Sequence, residues 1–157
     1  QNIMLKYILC DTGNTKFEEE MDMAFCNSLE EVQKFFENDR FAYDNNMRVE
    51  AYGKNYSKCS FMVEDAHRNA MGSVMGGAIF TLADFTFAVA SNWEKPGTVS
   101  LSSSITYTGV CKGNKVIAEA NCVKDGRSTC TYLVSVRDEL GNKIATVLIN
   151  GFKKLDL

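Results

Sequence analysis

The chain has 157 residues, 45% of them hydrophobic, which is enough for one core and short for two domains. Its formal charge of -3 excludes a general affinity for nucleic acid or for an anionic membrane surface. The cysteines at 10, 26, 59, 111, 122 and 130 form no C-x-x-C pair, and the single histidine, His67, has none beside it, which argues against a zinc site.

The apolar piece Ile3 to Cys10 is interrupted by Lys6 and lacks a small-residue cleavage site, so it makes a poor signal peptide and is too short to span a bilayer. Residues 1–27 show no sustained periodicity and pass through the acidic run Glu18-Glu19-Glu20. They read as an extension, partly disordered, ahead of a domain over 28–157. At Ser28-Leu29-Glu30-Glu31 a capping-box pattern precedes Val32, Phe35 and Phe36, whose spacing predicts an amphipathic helix to about Asn38. A turn at Tyr43-Asp44-Asn45-Asn46 follows. The segments 47–53 and 56–63 then alternate around Gly53-Lys54-Asn55 as a hairpin. The polar stretch from Glu64 to Gly72 is a loop well placed for ligand contacts.

Gly76 to Asn92 is proline-free and too long for a buried strand, with glycine only at its start, and it predicts a helix entered at Gly76-Gly77. It is apolar on almost every face, so protein should surround it. After a turn at Glu94-Lys95-Pro96-Gly97, four strands are expected over 98–108, 115–123, 128–138 and 143–152, separated by Gly-Asn and Asp-Gly turns. The fold class is α+β: an antiparallel sheet wrapped around a long central helix. Most of the six cysteines fall in apolar or alternating stretches, and they read as reduced core thiols of a cytoplasmic protein, with disulfides as the alternative.

Asp84 is the only carboxylate in the buried helix. A lone buried charge costs several kcal/mol or shifts its pKa, so such an acid is paired, neutralised or used. Both a structural and a functional Asp84 fit the residues alone.

From His67 to Asp84 the chain reads HRNAMGSVMGGAIFTLAD. This resembles the pattern H-x-N-x-x-G-x-x-H-G-G-x-x-x-x-L-x-D of the hotdog-fold acyl-CoA thioesterases, specifically the PaaI-like group. The likeness continues through Phe35 to Phe41 and Ser100 to Tyr107 and covers about residues 28–157. It implies a hotdog domain, a homodimer or a dimer of dimers, an acyl-CoA substrate and no cofactor. Carried over by position, Asp84 becomes nucleophile or general base, and Gly76 supplies the backbone N–H that polarises the thioester carbonyl. Asn69 is placed near the attacking group. Gly77, Ser100, Ser102 and His67 are placed in substrate binding, the two serines on one strand face if the strand is regular. Met75 stands where the family often has histidine.

An amide donor at a helix N-terminus suits a developing oxyanion and is worth roughly 2.7 to 4 kcal/mol. Gly76 precedes Asp84 by eight residues, ~12 Å along a helix at ~1.5 Å per residue, yet both must reach one thioester. A two-fold dimer with composite sites resolves this. Arg127, in the turn Lys124-Asp125-Gly126-Arg127, either contacts the CoA phosphates or is simply solvated. His67 either binds substrate or fixes its loop, and Phe80, Phe85, Phe87 and Trp93 are core or acyl-pocket wall. A non-catalytic acyl-CoA-binding module is the rival reading. A hydratase would want a histidine paired with the acid, and His67 lies upstream of the helix. The acyl group, aromatic or aliphatic, is left open.

Overall fold

The computed structural model describes residues 26–154. The segment read as an extension therefore lies, up to residue 25 and including Cys10, outside the described residues.

Helix α1 spans Leu29–Phe36. Ser28 caps it, its hydroxyl accepting the Glu31 N–H at 3.2 Å, while the Glu31 carboxylate accepts the N–H of Asn27 at 2.8 Å. The capping box thus closes one residue earlier than its pattern implies. Val32 and Phe36 are the buried residues of its face. The helix ends at Phe36 rather than Asn38, and a second short helix, α2 (Arg40–Asp44), stands where the sequence suggested only a turn. Ala42 anchors α2 in the core, and an Arg40–Asp44 pair at 2.6 Å closes its single turn. The reversal comes later, at Asn46, which has φ +59°.

Strands β1 (Arg48–Gly53) and β2 (Tyr56–Met62) form the expected hairpin, with Asn55 at φ +60° in the two-residue loop. Helix α3 covers Gly76–Asn92 as predicted. Then come β3 (Thr98–Tyr107), β4 (Lys115–Asp125), β5 (Thr129–Asp138) and β6 (Lys143–Lys153). The six strands form one sheet in the order β1-β2-β4-β5-β6-β3, antiparallel throughout. α3 touches every strand, as the wrapped architecture requires.

Small inward residues make that wrapping feasible. Ala118 and Ala120 on β4 and Cys59 on β2 lie fully buried alongside Leu82, Ala83 and Val89 of the helix, and each large apolar side chain so buried contributes ~1.5–3 kcal/mol. The polar side chains of α3 bond to its own backbone: Thr81 to Gly77 O, Thr86 to Leu82 O, Ser91 to Phe87 O and Asn92 to Ala88 O. Asp84 does not. Within one chain the helix is also not covered all round. Gly77, Thr81, Asp84, Ala88 and Ser91, spaced by three and four residues, form a stripe that stays open or half-open.

The five cysteines among the described residues are free thiols, and burial pushes Cys59 up to about 12. No helix among them is long and apolar enough to cross a membrane.

Candidate active site

The start of α3 presents unused donors. Met75 occupies the N-cap in extended backbone and contributes no side-chain acceptor. The first N–H groups taken up by backbone are those of Ala78 and Ile79, both on Met75 O. The N–H groups of Gly76 and Gly77 have no acceptor among the described residues. Above them lies Tyr107, from the end of β3, whose hydroxyl donates to Gly76 O at 2.9 Å. That bond holds the Gly76–Gly77 peptide in one orientation. Tyr107 closes the stretch of likeness after the helix, but no role fell to it from the sequence, because it lies 31 residues from Gly76.

Two turns further along the helix, Asp84 lines a cleft of about 230 Å³ with Phe80, Thr81 and Phe85 of α3 and with Asp39, Phe41 and Ala42 from the α2 segment. Burial pushes its carboxyl above the ordinary range. The Ser100 hydroxyl beside it pulls it back, and the charge of Asp39 adds to the rise. A half-buried acid kept protonatable is suited to take a proton from water or to attack a carbonyl carbon.

Ser100 thus lies beside Asp84, but Ser102 does not share its face. Ser100 pairs with Gly151 and Ser102 with Asn150, so Leu101 is the extra residue of a β-bulge. Gly151 faces Phe87 and the core, whereas Asn150 faces outward and donates to the Ser102 hydroxyl at 3.1 Å. The bulge turns Ser102 away from Asp84.

The loop before α3 is tied down by the two other polar residues of the motif. Asn69 Oδ1 accepts the N–H groups of Met71 and Ser73 at 2.9 and 3.2 Å, closing a turn that passes through Gly72 at φ +77°. Its Nδ2 has no acceptor among the described residues. His67 is only 2% exposed and packs on Phe61 at 4.5 Å. Its Nδ1 accepts the Glu64 N–H, and its Nε2 donates to Asn45 O at 2.9 Å, which defines the tautomer protonated at Nε2. With both ring nitrogens occupied, His67 fixes the loop and does not offer itself to substrate.

Of the four aromatic candidates, Phe80 and Phe85 line the cleft. Phe87 packs edge-on against Tyr132 in the core, and Trp93 packs on Tyr52 and donates to Gly53 O. Arg127 sits exposed in the β4–β5 turn and does not line the cleft. Among the described residues no cluster of three or more acids, cysteines or histidines could hold a metal ion.

Comparison with known proteins fits this geometry. The family model of the thioesterase superfamily matches residues 71–145, which span α3, β3 to β5 and the start of β6. A protein of Archaeoglobus fulgidus named "Putative esterase" is 33% identical over 129 residues, covering 77% of this chain and 84% of the relative. Among solved structures, a variant of the phenylacetic acid degradation protein PaaI from Thermus thermophilus is 30% identical. It superposes with a TM-score of 0.69 over 74% of this chain and 100% of its own. A Streptococcus mutans protein bound to acetyl CoA is 29% identical, with a TM-score of 0.66 over 69% of this chain and 89% of its own.

Proposed function

The chain belongs to the thioesterase superfamily, and from that premise we propose that it hydrolyses the thioester of an acyl-CoA to the free acid and CoA, with Asp84 as nucleophile or general base. The observation that carries this reading is Asp84 itself: it is the one polar side chain of α3 from Thr81 onward not spent on the helix backbone, half-buried, steadied by Ser100 and facing a cleft. Acetyl CoA bound to a relative that is 29% identical supports the substrate class.

Attack on the thioester carbonyl gathers negative charge on its oxygen, and the open Gly76 N–H, aided by Gly77, is the donor for it. Glycine there permits close approach. The C–S bond then breaks and the CoA thiolate takes up a proton. Asn69, its Oδ1 committed to the loop, has its Nδ2 left for the thioester or the attacking water. Asp84 lies eight residues beyond Gly76 in an unbroken helix, ~12 Å along the axis at ~1.5 Å per residue, so one chain does not supply both groups to one carbonyl. We assign the second group to a second copy related by a two-fold axis. Supporting this, β3 is a sheet edge with an unpaired side, it exposes Val99, Leu101 and Tyr107, and the stripe of α3 that carries Asp84 is incompletely covered.

Asp84→Asn is the test. It removes the reactive carboxylate and keeps its size, so kcat for acyl-CoA hydrolysis, followed by thiol release, should fall by ~10²-fold or more while affinity for acyl-CoA is retained. A wild-type rate would remove Asp84 from the chemistry. Binding without turnover in the wild-type protein would make this an acyl-CoA-binding module. Label in the Asp84 carboxylate after a single turnover in ¹⁸O-water identifies a nucleophile, whose anhydride with the acyl group water has opened at the Asp84 carbonyl, whereas label confined to the released acid arises from either role.

A further inference from the structure

The cleft that holds Asp84 contains a second acid for which the proposed hydrolysis has no use. Asp39 occupies the N-cap of α2, where an aspartate side chain ordinarily accepts a helix N–H, yet it makes no capping bond. Among the described residues its carboxylate has neither hydrogen bond nor ion pair. It faces the same cleft as Asp84 and is close enough for its charge to act on Asp84.

Among the described residues no cation lines the cleft to balance the two acids. The nearest arginines in sequence are engaged elsewhere: Arg40 pairs with Asp44 at 2.6 Å, and Arg48 lies over the Tyr43 ring at 4.0 Å and donates to the carbonyls of Tyr43 and Met47. The rest of the lining is apolar or uncharged, the rings of Phe41, Phe80 and Phe85 with Ala42 and Thr81. Phe41 is 70% exposed, a large apolar surface at the cleft's rim.

We infer that Asp39 is a specificity-determining residue: with Asp84 it bars acyl groups that end in a carboxylate and reserves the ring-lined cleft for uncharged acyl groups. The inference rests on the acyl-CoA thioesterase reading and names its substrate class. A carboxylate entering the cleft loses water, finds no donor cation and meets two like charges. An uncharged chain of the same length meets none of these costs and gains contact with the rings. Asp39 is the more open of the two acids, so its share of the repulsion is the share that salt can screen.

The experiment compares hexanoyl-CoA with adipoyl-CoA, which have the same number of acyl carbons and differ in a terminal carboxylate. The wild-type protein should prefer hexanoyl-CoA by ~10-fold or more in kcat/KM, and raising the ionic strength from ~0.01 M to ~1 M should shrink that ratio. CoA is common to both substrates, so its own response to salt cancels. Asp39→Asn should lower the ratio by roughly tenfold, equivalent to about 1.4 kcal/mol, and Asp39→Lys should lower it further. The salt arm uses the wild-type protein, so the inference stays testable if a variant does not fold. A wild-type ratio near one, or a ratio indifferent to both substitutions and to salt, overturns the role of Asp39 and leaves the thioesterase reading standing. Hydrolysis of neither substrate, nor of an aromatic one such as benzoyl-CoA, overturns that reading, and this inference falls with it.

Discussion

A methyl group built on Gly76 would stand 2.9 Å from the Tyr107 hydroxyl oxygen and 3.1 Å from its Cζ. The obstacle is the far end of a side chain, so the ring would swing away rather than the helix unfold, and the bond from Tyr107 to Gly76 O would go with it. Tyr107→Phe removes that bond without the clash. It should lower kcat for acyl-CoA by ~10-fold with little change in KM or melting temperature, because the lost group orients a donor instead of supporting the core. Gly76→Pro tests the donor itself. Proline is favoured at the first position of a helix, and Met75, at φ -65° and ψ 137°, already has the backbone a following proline requires. The helix should form, the N–H is gone and the proline Cβ also meets the Tyr107 ring, so kcat should fall by ~10²–10³-fold, and the part of that fall beyond the ~10-fold of Tyr107→Phe belongs to the amide if it holds the oxyanion. Asp84 carries a sign of its own. Burial raises its folded pKa above its unfolded value, so its charge costs stability at neutral pH and the cost is relieved as pH falls through the folded pKa. Asp84→Asn should therefore hold or raise the melting temperature at pH 7, where removal of a structural, paired aspartate would lower it. The same shift places the acidic limb of kcat/KM above the ordinary carboxylate pKa of about 4.

Among the elements, α3 could be read to its exact ends because a proline-free apolar run with glycines only at its entrance has few other folds open to it. The strands followed from alternation and Gly-Asn or Asp-Gly turns. What escaped were features without a local signal. α2 has five residues, and Asp39 at its N-cap makes no capping bond to announce it. The bulge at Leu101 falls in Ser100-Leu101-Ser102-Ser103-Ser104, where no hydrophobic alternation marks which serine faces inward. Asp39 and Asp84 meet only in three dimensions. Asp138, also unremarkable in sequence, is fully buried at the end of β5 and ties two connections together. Its carboxylate accepts the N–H groups of Lys112 and Gly113 from the β3–β4 connection and those of Leu140 and Asn142 from the β5–β6 turn, as well as the Asn142 side chain. Burial alone would push this carboxyl up, but the Asn142 side chain and the three N–H groups of Lys112, Asn142 and Gly113 outweigh it and hold it at about 2. A depressed folded pKa means stability that is present above the unfolded value near 4 and lost as pH falls toward 2. The melting temperature of the wild-type protein should drop across that window, and Asp138→Asn should start lower at pH 7 and respond less to acid.

For the molecule as a whole, one length decides how the site must be assembled. Gly76, with its open N–H, and Asp84 are set ~12 Å apart along the axis of one unbroken helix, at ~1.5 Å per residue, farther than an aspartate side chain reaches to share one carbonyl with that N–H. If two copies complete each other's sites, each site takes its oxyanion donor from one chain and its acid from the partner. A dimer of two Asp84→Asn chains then has two dead sites, and so does a dimer of two Gly76→Pro chains. In a mixed dimer, one site receives both defects and the other receives neither. Co-refolding the two inactive proteins at equal amounts should form mixed dimers as about half of the population, each with one intact site, so activity should recover to roughly a quarter of wild type per chain if the subunits exchange freely. Leu101, the bulged residue of the free edge and 66% exposed, supplies the control. Leu101→Lys places a charge on the strand edge proposed to meet the second copy, and it should yield monomers by analytical ultracentrifugation together with loss of hydrolysis. Mixed dimers that bind acyl-CoA and stay inactive, or a Leu101→Lys monomer that turns over at the wild-type rate, would leave both groups within a single chain and overturn the shared site.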